Sequence, residues 1–329
     1  MTTINDIAKM ANVSRTTVSR VLNNNGYVSE SARERVMKVV EETGYIPSVS
    51  AKSLRTKRSG VIGVILPKIS TETASRVVGG INEVVAKEGF QILLTDTELN
   101  HDKEIEYIRL LHSRHVDGII LLATNVNDRL LNAIEVANLP FISLGQELPG
   151  VTSIVYDDYH ASKDMTNMII QKGHKKIAYI GVGEDDPAVG VLRKQGFIET
   201  IQEAGLELEE NWIGYGDFSI ESGYESMKQI IEANPGNLPT AVFVVTDRMA
   251  VGAMEYLKEQ GFRIPQDIAI TGIGASVMSK YISPSLTTID YFNKEAGTMA
   301  AELLLEQLQD KNTKKKFLQN YRLIERDSV

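Results

Sequence analysis

The sequence predicts an α/β protein: an N-terminal three-helix helix-turn-helix head plus hinge helix, then two doubly wound parallel-sheet lobes. Three observations predict it. Short apolar runs alternate with helical patterns over residues 59–329, as parallel strands covered by helices require. After residue 157 the alternation starts afresh, so two lobes are expected. The first 46 residues lack it and read as three short helices joined by tight turns.

Composition sets the bounds. A chain of 329 residues suffices for two or three domains, and its 43% hydrophobic and 24% charged content is ordinary for a globular protein. The net charge of −8 is unevenly spread. Residues 1–58 carry 10 basic and 5 acidic side chains, whereas the remainder carries 25 and 38. A basic head that meets a polyanion would explain this asymmetry; so would a chance cluster. The absence of cysteine excludes disulfides, thiolate metal sites and cysteine nucleophiles. MTTINDIAKM has neither the basic nor the apolar region of a secretory signal, and no apolar run reaches the ~18 residues of a membrane span. A cytoplasmic protein without a membrane partner is expected.

In the head, Thr3 and Asp6 form a capping pair for a helix over 4–10, whose inner face is Ile7, Ala8 and Ala11. Ser14 is an N-cap for a second helix over 15–22, with Val18, Val21 and Leu22 as its buried stripe. Ser29 caps a third, with Ala32, Val36, Val39 and Val40 inside and Gly44 at its end. A four-residue turn between the first two makes a helix-turn-helix, whose second helix enters the major groove. Arg15 and Arg20 offer planar forks for guanine O6 and N7, and Thr16 reaches a base or a phosphate. The hydroxyls of Ser14, Thr17 and Ser19, with the helix N-terminus, suit phosphates. A helical packing module with a solvated basic face is the competing interpretation.

Pro47 then interrupts the chain, and residues 49–55 have room for two helical turns with one large apolar side chain, Leu54. Such a helix is marginal in water. It is either a linker or a segment that folds when docked, with Lys52 and Arg55 on phosphates and Leu54 wedged between base pairs from the minor groove.

The segment from Ile4 to Pro67 resembles the DNA-binding head, hinge and first core strand of the lactose/galactose repressor family. The likeness rests on D-I-A at 6–8, V-S-x-x-T-V-S-R-V-L-N at 13–23, V-S at 28–29, G-Y-x-P at 44–47 and A-x-S-L-R at 51–55; LIERDSV at the other end extends it to the whole chain. It implies that Arg15, Thr16 and Arg20 read bases, that Leu54 is the minor-groove wedge, and that Asn23 and Ser48 belong to the DNA-contacting set. Ser48 stands where the family usually has Asn. The division implied is a head over 1–46, a hinge over 47–58 and a core over 59–329. In the core, one lobe takes about 59–157 and 288–320, the other about 158–287, in the type I periplasmic-binding-protein fold.

The body is read element by element. Runs at 60–67, 90–96, 117–123 and 140–144 are strands, with helices over 73–88, 103–112 and 128–136 between them. After the run at 153–158 come helices over 159–171, 189–204, 221–232 and 247–260, alternating with strands at 176–181, 212–218, 241–245 and 268–273. A doubly wound lobe binds ligands at the carboxyl ends of its strands.

Several motifs have plain structural roles. Gly181-Val182-Gly183 lacks the next glycine of a dinucleotide fingerprint and reads as a strand-end turn. Asp157-Asp158 precedes a helix and reads as capping, or as the hinge geometry that the family resemblance implies, rather than a catalytic pair. His112 and His115, at i and i+3 of a helix, read as a solvated pair, and Lys314 to Lys316 as a solvated loop. No Walker loop, nucleophile elbow or zinc-protease motif occurs. No cofactor, metal or catalytic activity is expected.

The cleft candidates are Arg193 early in a helix that follows a strand, Phe218 at a strand end, and Thr246 with Asp247 at another. A cation fork, an aromatic plate and a carboxylate suit a polyhydroxyl ligand, although Asp247 could merely cap its helix and Phe218 could be core. The resemblance assigns these positions to effector contacts and adds Gln146. Sugar-binding relatives carry a carboxylate in the loop that here reads Gly272-Ile273-Gly274-Ala275-Ser276, so their specificity does not transfer. The GQE and GIG loops are most similar to those of repressors of sucrose or related disaccharide operons.

The function implied is a homodimeric, sequence-specific transcriptional regulator: a repressor of a carbohydrate-utilisation operon, released from a palindromic operator by a small sugar or sugar phosphate. The alternatives are the same head with a protein corepressor, a sugar-transport binding protein, and a sugar-modifying enzyme.

Overall fold

The computed structural model describes residues 2–22, 24–45, 58–309 and 315–329. The chain forms two compact units, 1–59 and 60–329.

In the first unit, α1 (Ile4–Met10), α2 (Arg15–Leu22) and α3 (Glu30–Thr43) enclose a core of Ile7, Ala8, Ala11, Val18, Val21, Val36 and Val39. Local chemistry sets the helix ends. Thr3 and Asp6 make the reciprocal capping box, and the Ser14 hydroxyl accepts from the Thr17 amide at 3.0 Å. Gly44 closes α3 in the left-handed region, as expected of a glycine there. Ser29 holds the N-cap position of α3, but its side chain makes no capping bond; its carbonyl accepts from Ala32 and Arg33 instead.

In the second unit, β1 (Val61–Leu66), α4 (Glu72–Val85), β2 (Gln91–Asp96), α5 (His101–Ser113), β3 (Gly118–Leu122), α6 (Asp128–Ala137), β4 (Phe141–Gly145) and β5 (Thr152–Tyr156) build the first lobe. The second lobe contains α7 (Asp158–Gln171), β6 (Ile177–Val182), α8 (Arg193–Glu203), β7 (Ile213–Gly216), α9 (Ile220–Ala233), β8 (Ala241–Val244), α10 (Asp247–Glu259), β9 (Ala269–Thr271) and α11 (Val277–Tyr281). The chain ends with β10 (Thr288–Asp290), α12 (Asn293–Gln307), β11 (Lys316–Gln319) and β12 (Arg322–Ile324).

One parallel sheet runs β11-β5-β4-β3-β1-β2 and the other β7-β6-β8-β9. The inner strands are apolar because helices cover both faces; β1, β3 and β6 are buried almost throughout, whereas the edge strand β2 is largely exposed. Residues 288–290, expected in the first lobe, pair antiparallel with β12, and their backbone bonds the strand-end loop of β9. The return to the first lobe begins only with α12, which packs on α4, and β11 completes that sheet beside β5.

The helix pairs meet at glycines. A Cβ on Gly80 of α4 would stand 2.0 Å from the Lys294 carbonyl of α12, and one on Gly297 of α12 would stand 2.1 Å from the Val77 carbonyl. In the second lobe Gly223 of α9 and Gly252 of α10 play the same part, at 2.0 Å from the Met249 carbonyl and 1.9 Å from that of Ile220.

Three further expectations differ from the structure. The segment over 189–204 begins with a π-helical turn, Pro187–Leu192, capped by Asp186. His115 lies beyond the end of α5 with φ +57°, so it shares no helix face with His112, although both are exposed. Lys316 opens β11 and pairs with Glu147 at 2.6 Å rather than belonging to a loop.

Candidate functional site

Two surfaces carry the residues singled out by sequence. The first is the outer face of α2. Its apolar stripe turns Val18 and Val21 inward, which leaves Ser14, Arg15, Thr16 and Arg20 exposed and Thr17 and Ser19 half-buried. The Ser14 hydroxyl lies 2.9 Å from that of Thr17. The stem of Arg20 rests against the turn at Gly26, where a Cβ would lie 3.7 Å from its Cδ. The first turn of α2 holds no acid, so nothing there opposes a phosphate. Asn23, Ser48, Lys52, Leu54 and Arg55 lie outside the described residues.

The second surface is a cleft of about 230 Å³ at the carboxyl ends of strands in both lobes. All five expected residues, Gln146, Arg193, Phe218, Thr246 and Asp247, line it. Gln146, just past β4, donates from Nε2 to Asp186 Oδ1 at 2.8 Å and so joins the lobes. Asp186 also accepts the amides of Ala188 and Val189, at 3.1 and 3.0 Å. Burial pushes the pKa of its carboxyl up.

Arg193, 7% exposed, begins α8. Its Nε donates to Asp158 Oδ1 at 2.7 Å and its Nη1 to the Val245 carbonyl at 2.5 Å. The guanidinium lies 5.4 Å from the ring centre of Tyr291, whose hydroxyl donates to Asp158 Oδ1 at 2.9 Å. Burial opposes its charge, but Asp158, Tyr291 and Asp186 together more than offset that and raise its pKa. Asp157 does cap α7, accepting from the His160 amide, whereas Asp158 serves this ion pair.

Thr246 caps α10 through the Met249 amide at 3.2 Å. The next residue, Asp247, is only 3% exposed; it accepts from the Thr288 hydroxyl at 2.5 Å and the Ser276 amide at 2.7 Å. Burial pushes the pKa of its carboxyl up despite those donors. Phe218, two residues beyond β7 with φ +69°, is half-buried against the second-lobe core. Tyr156 and Tyr291, also in the lining, pack on each other with ring centres 4.9 Å apart. Phe218 is the third aromatic side chain of the lining, and among the described residues it stacks on no other ring.

A clasp joins the lobes at this cleft. Arg76 of α4 donates to the carbonyls of Ala275 at 2.7 Å and Gly274 at 3.3 Å. Glu72 pairs with Arg76 at 2.5 Å and accepts the Val277 amide at 2.8 Å. Arg248 reaches the Ser70 carbonyl at 3.1 Å.

Sequence reasoning missed Asp158 as an ion-pair partner, Asp186, Tyr291, and the clasp. Asp186 had a local signal: an acid directly before Pro187, the pattern of an N-cap followed by N1 proline. The others join residues from 35 to 205 positions apart, which no local pattern announces.

Among the described residues no helix is long and apolar enough to cross a membrane, and no cluster of His, Cys, Asp or Glu is arranged to hold a metal ion.

Residues 3–48 match the family described as bacterial regulatory proteins, lacI family, and residues 166–329 match the periplasmic binding protein-like domain. The chain is 33% identical to the HTH-type transcriptional repressor PurR of Vibrio atlanticus (strain LGP32), over 100% of this chain and 99% of that one. It is 31% identical to the HTH-type transcriptional regulator RegA of Clostridium saccharobutylicum, over 100% and 99%. Among solved structures, the Lac repressor bound to ONPG in the repressed state superposes with a TM-score of 0.88 at 26% identity, covering 100% of this chain and 99% of that one. A complex of the transcriptional regulator CelR with cellobiose gives 0.75 at 27% identity, covering 100% of both. A helix-turn-helix head, a two-lobed core with its cleft, and relatives that match from end to end make this chain a DNA-binding transcriptional regulator of the lacI family.

Proposed function

We propose that the protein is a cytoplasmic, homodimeric repressor of a carbohydrate-utilisation operon, and that a polyhydroxyl ligand in the cleft controls its hold on a palindromic operator. It acts by binding rather than catalysis. The observation that carries the reading is the meeting of Gln146, Arg193, Phe218, Thr246 and Asp247 in one cleft. A flat heteroaromatic ligand wants rings on both faces; a sugar wants one ring for its apolar face and many acceptors for its hydroxyls. Phe218 supplies such a ring, and Gln146, Thr246 and Asp247 supply acceptors, which favours the second set. The cellobiose held by the related CelR fits the same chemistry.

In the head, Arg15, Thr16 and Arg20 read base edges, while Ser14, Thr17, Ser19 and Asn23 hold phosphates. Ser48, Lys52, Leu54 and Arg55 extend the contact into the hinge. Ligand and operator are coupled through two arrangements of the lobes with different affinity for each. The clasp and the Gln146–Asp186 bridge hold one of those arrangements.

The test is operator binding by the full chain, followed by fluorescence anisotropy, with glucose, sucrose, cellobiose and hypoxanthine titrated in. Release by a sugar is expected. Response to hypoxanthine alone would replace the polyhydroxyl reading, and response only to a co-purifying protein would favour a protein corepressor.

A further inference from the structure

The cleft has two cations for which its carboxylates give no account. Lys68, just past β1, and Arg248, second residue of α10, both line it, and both are half-buried. Among the described residues neither forms an ion pair, whereas the acids of the lining are engaged. Glu72 pairs with Arg76, and Asp158 with Arg193. Asp186 is held by Gln146 and two amides, and Asp247 by Thr288 and the Ser276 amide. Lys68 does feel Asp217, but that carboxylate is exposed and already bonded by Ser219. Arg248 spends Nη1 on a neutral carbonyl, and its Nε is buried with no hydrogen-bond partner. An orphaned donor on a guanidinium is costly unless something meets it. Arg248 stands in the first turn of α10, whose amide end also favours negative charge, and Lys68 precedes the N-cap of α4 by three residues.

We propose that the polyhydroxyl ligand is anionic: a phosphorylated sugar whose phosphate sits between Lys68 and Arg248. This rests on the reading of the cleft as a polyhydroxyl site. A phosphate supplies acceptor oxygens in several directions, which a guanidinium fork and an ammonium satisfy together. The sugar hydroxyls then fall to Gln146, Arg193, Thr246 and Asp247.

The experiment is calorimetry on the full chain with glucose, sucrose and cellobiose, each beside its 6-phosphate, and with inorganic phosphate as competitor. At least one ester should bind roughly tenfold or more tightly than its parent, as charge-assisted bonds to two cations warrant. That advantage should shrink with added salt, which a neutral sugar's affinity would not do. Lys68→Gln and Arg248→Gln should each lower the ester's affinity more than that of its parent sugar, and Arg248→Lys should restore part of the difference. Thermal melting of each variant checks that it folds. If a neutral sugar binds as well as its ester, or the variants weaken both equally, the phosphate assignment falls and the polyhydroxyl reading stands. If no sugar of either kind binds, both fall together.

Discussion

Arg193 and Asp158, which begin successive helices, form an ion pair buried on both sides: Nε lies 2.7 Å from Oδ1, and the side chains are 8% and 1% exposed. Removing one partner strands the other. Arg193→Ala should therefore cost ~3–5 kcal/mol of stability as well as the ligand response. Asp158→Asn in the same chain should recover part of the stability but none of the response. Denaturant melts and calorimetry separate the two effects; ligand binding of wild-type strength by Arg193→Ala would remove that side chain from the site.

Glu104, on α5, is buried behind the cleft wall, with Asn125 donating at 2.5 Å and Thr124 at 3.2 Å. Burial pushes its pKa up to about 7, and those two donors only partly offset this. The folded chain therefore holds a proton that the unfolded chain releases at lower pH, so stability should fall as pH rises from about 4.5 through about 7. The decline is at most ~3 kcal/mol. Glu104→Gln should flatten it; an unchanged slope in denaturant melts across that range would acquit Glu104.

Gly80→Ala should cost ~1–3 kcal/mol, because its new methyl would stand 2.0 Å from the Lys294 carbonyl and neither helix backbone can yield cheaply. Its neighbour Gly79 has open space around it, so Gly79→Ala should instead stabilise by ~0.5–1 kcal/mol. Opposite signs from adjacent residues isolate the packing term.

In the head, Arg20→Ala should weaken operator binding by ~1–3 kcal/mol and relax the choice at one base pair. Titrating operators with each base pair substituted reads this out. Equal weakening on every sequence would make Arg20 a phosphate contact.

Arg76→Ala frees the Gly274 and Ala275 carbonyls and leaves Glu72 without its cation. Amide exchange over 274–277 should speed up in the variant without ligand and slow again once the cleft is filled. Exchange unaltered by the substitution would show that the clasp does not hold the lobes.

What the sequence disclosed and what it hid divide along physical lines. The Thr3–Asp6 box, the Ser14 cap and the Gly44 stop were readable because capping acts within four residues. Alternation located both sheets, since strands covered on both faces must be apolar. The cleft residues Phe218, Thr246 and Asp247 were readable because a strand's carboxyl end is a place as well as a position. The π-helical turn was not, for its apolar spacing mimics the start of an ordinary helix. Nor was the pairing of β10 with β12, where three-residue strands leave no periodicity to detect. The clasp was invisible for another reason: Arg76 and Ala275 are 199 positions apart, and one of the bonding groups is backbone.

The glycines between paired helices bear on how a signal would leave the cleft. Where large side chains interdigitate, a small push is absorbed by rotamers. Where Gly80 and Gly297 set one helix backbone directly on another, no joint is left to give. The same holds for Gly223 and Gly252 across the cleft. Each lobe is therefore welded rather than hinged internally. Displacement caused by a ligand is then confined to the three strands of chain that pass between lobes, following β5, β10 and β11. In a regulator built this way, what can give lies between the lobes: the three crossings, the clasp and the Gln146–Asp186 bridge.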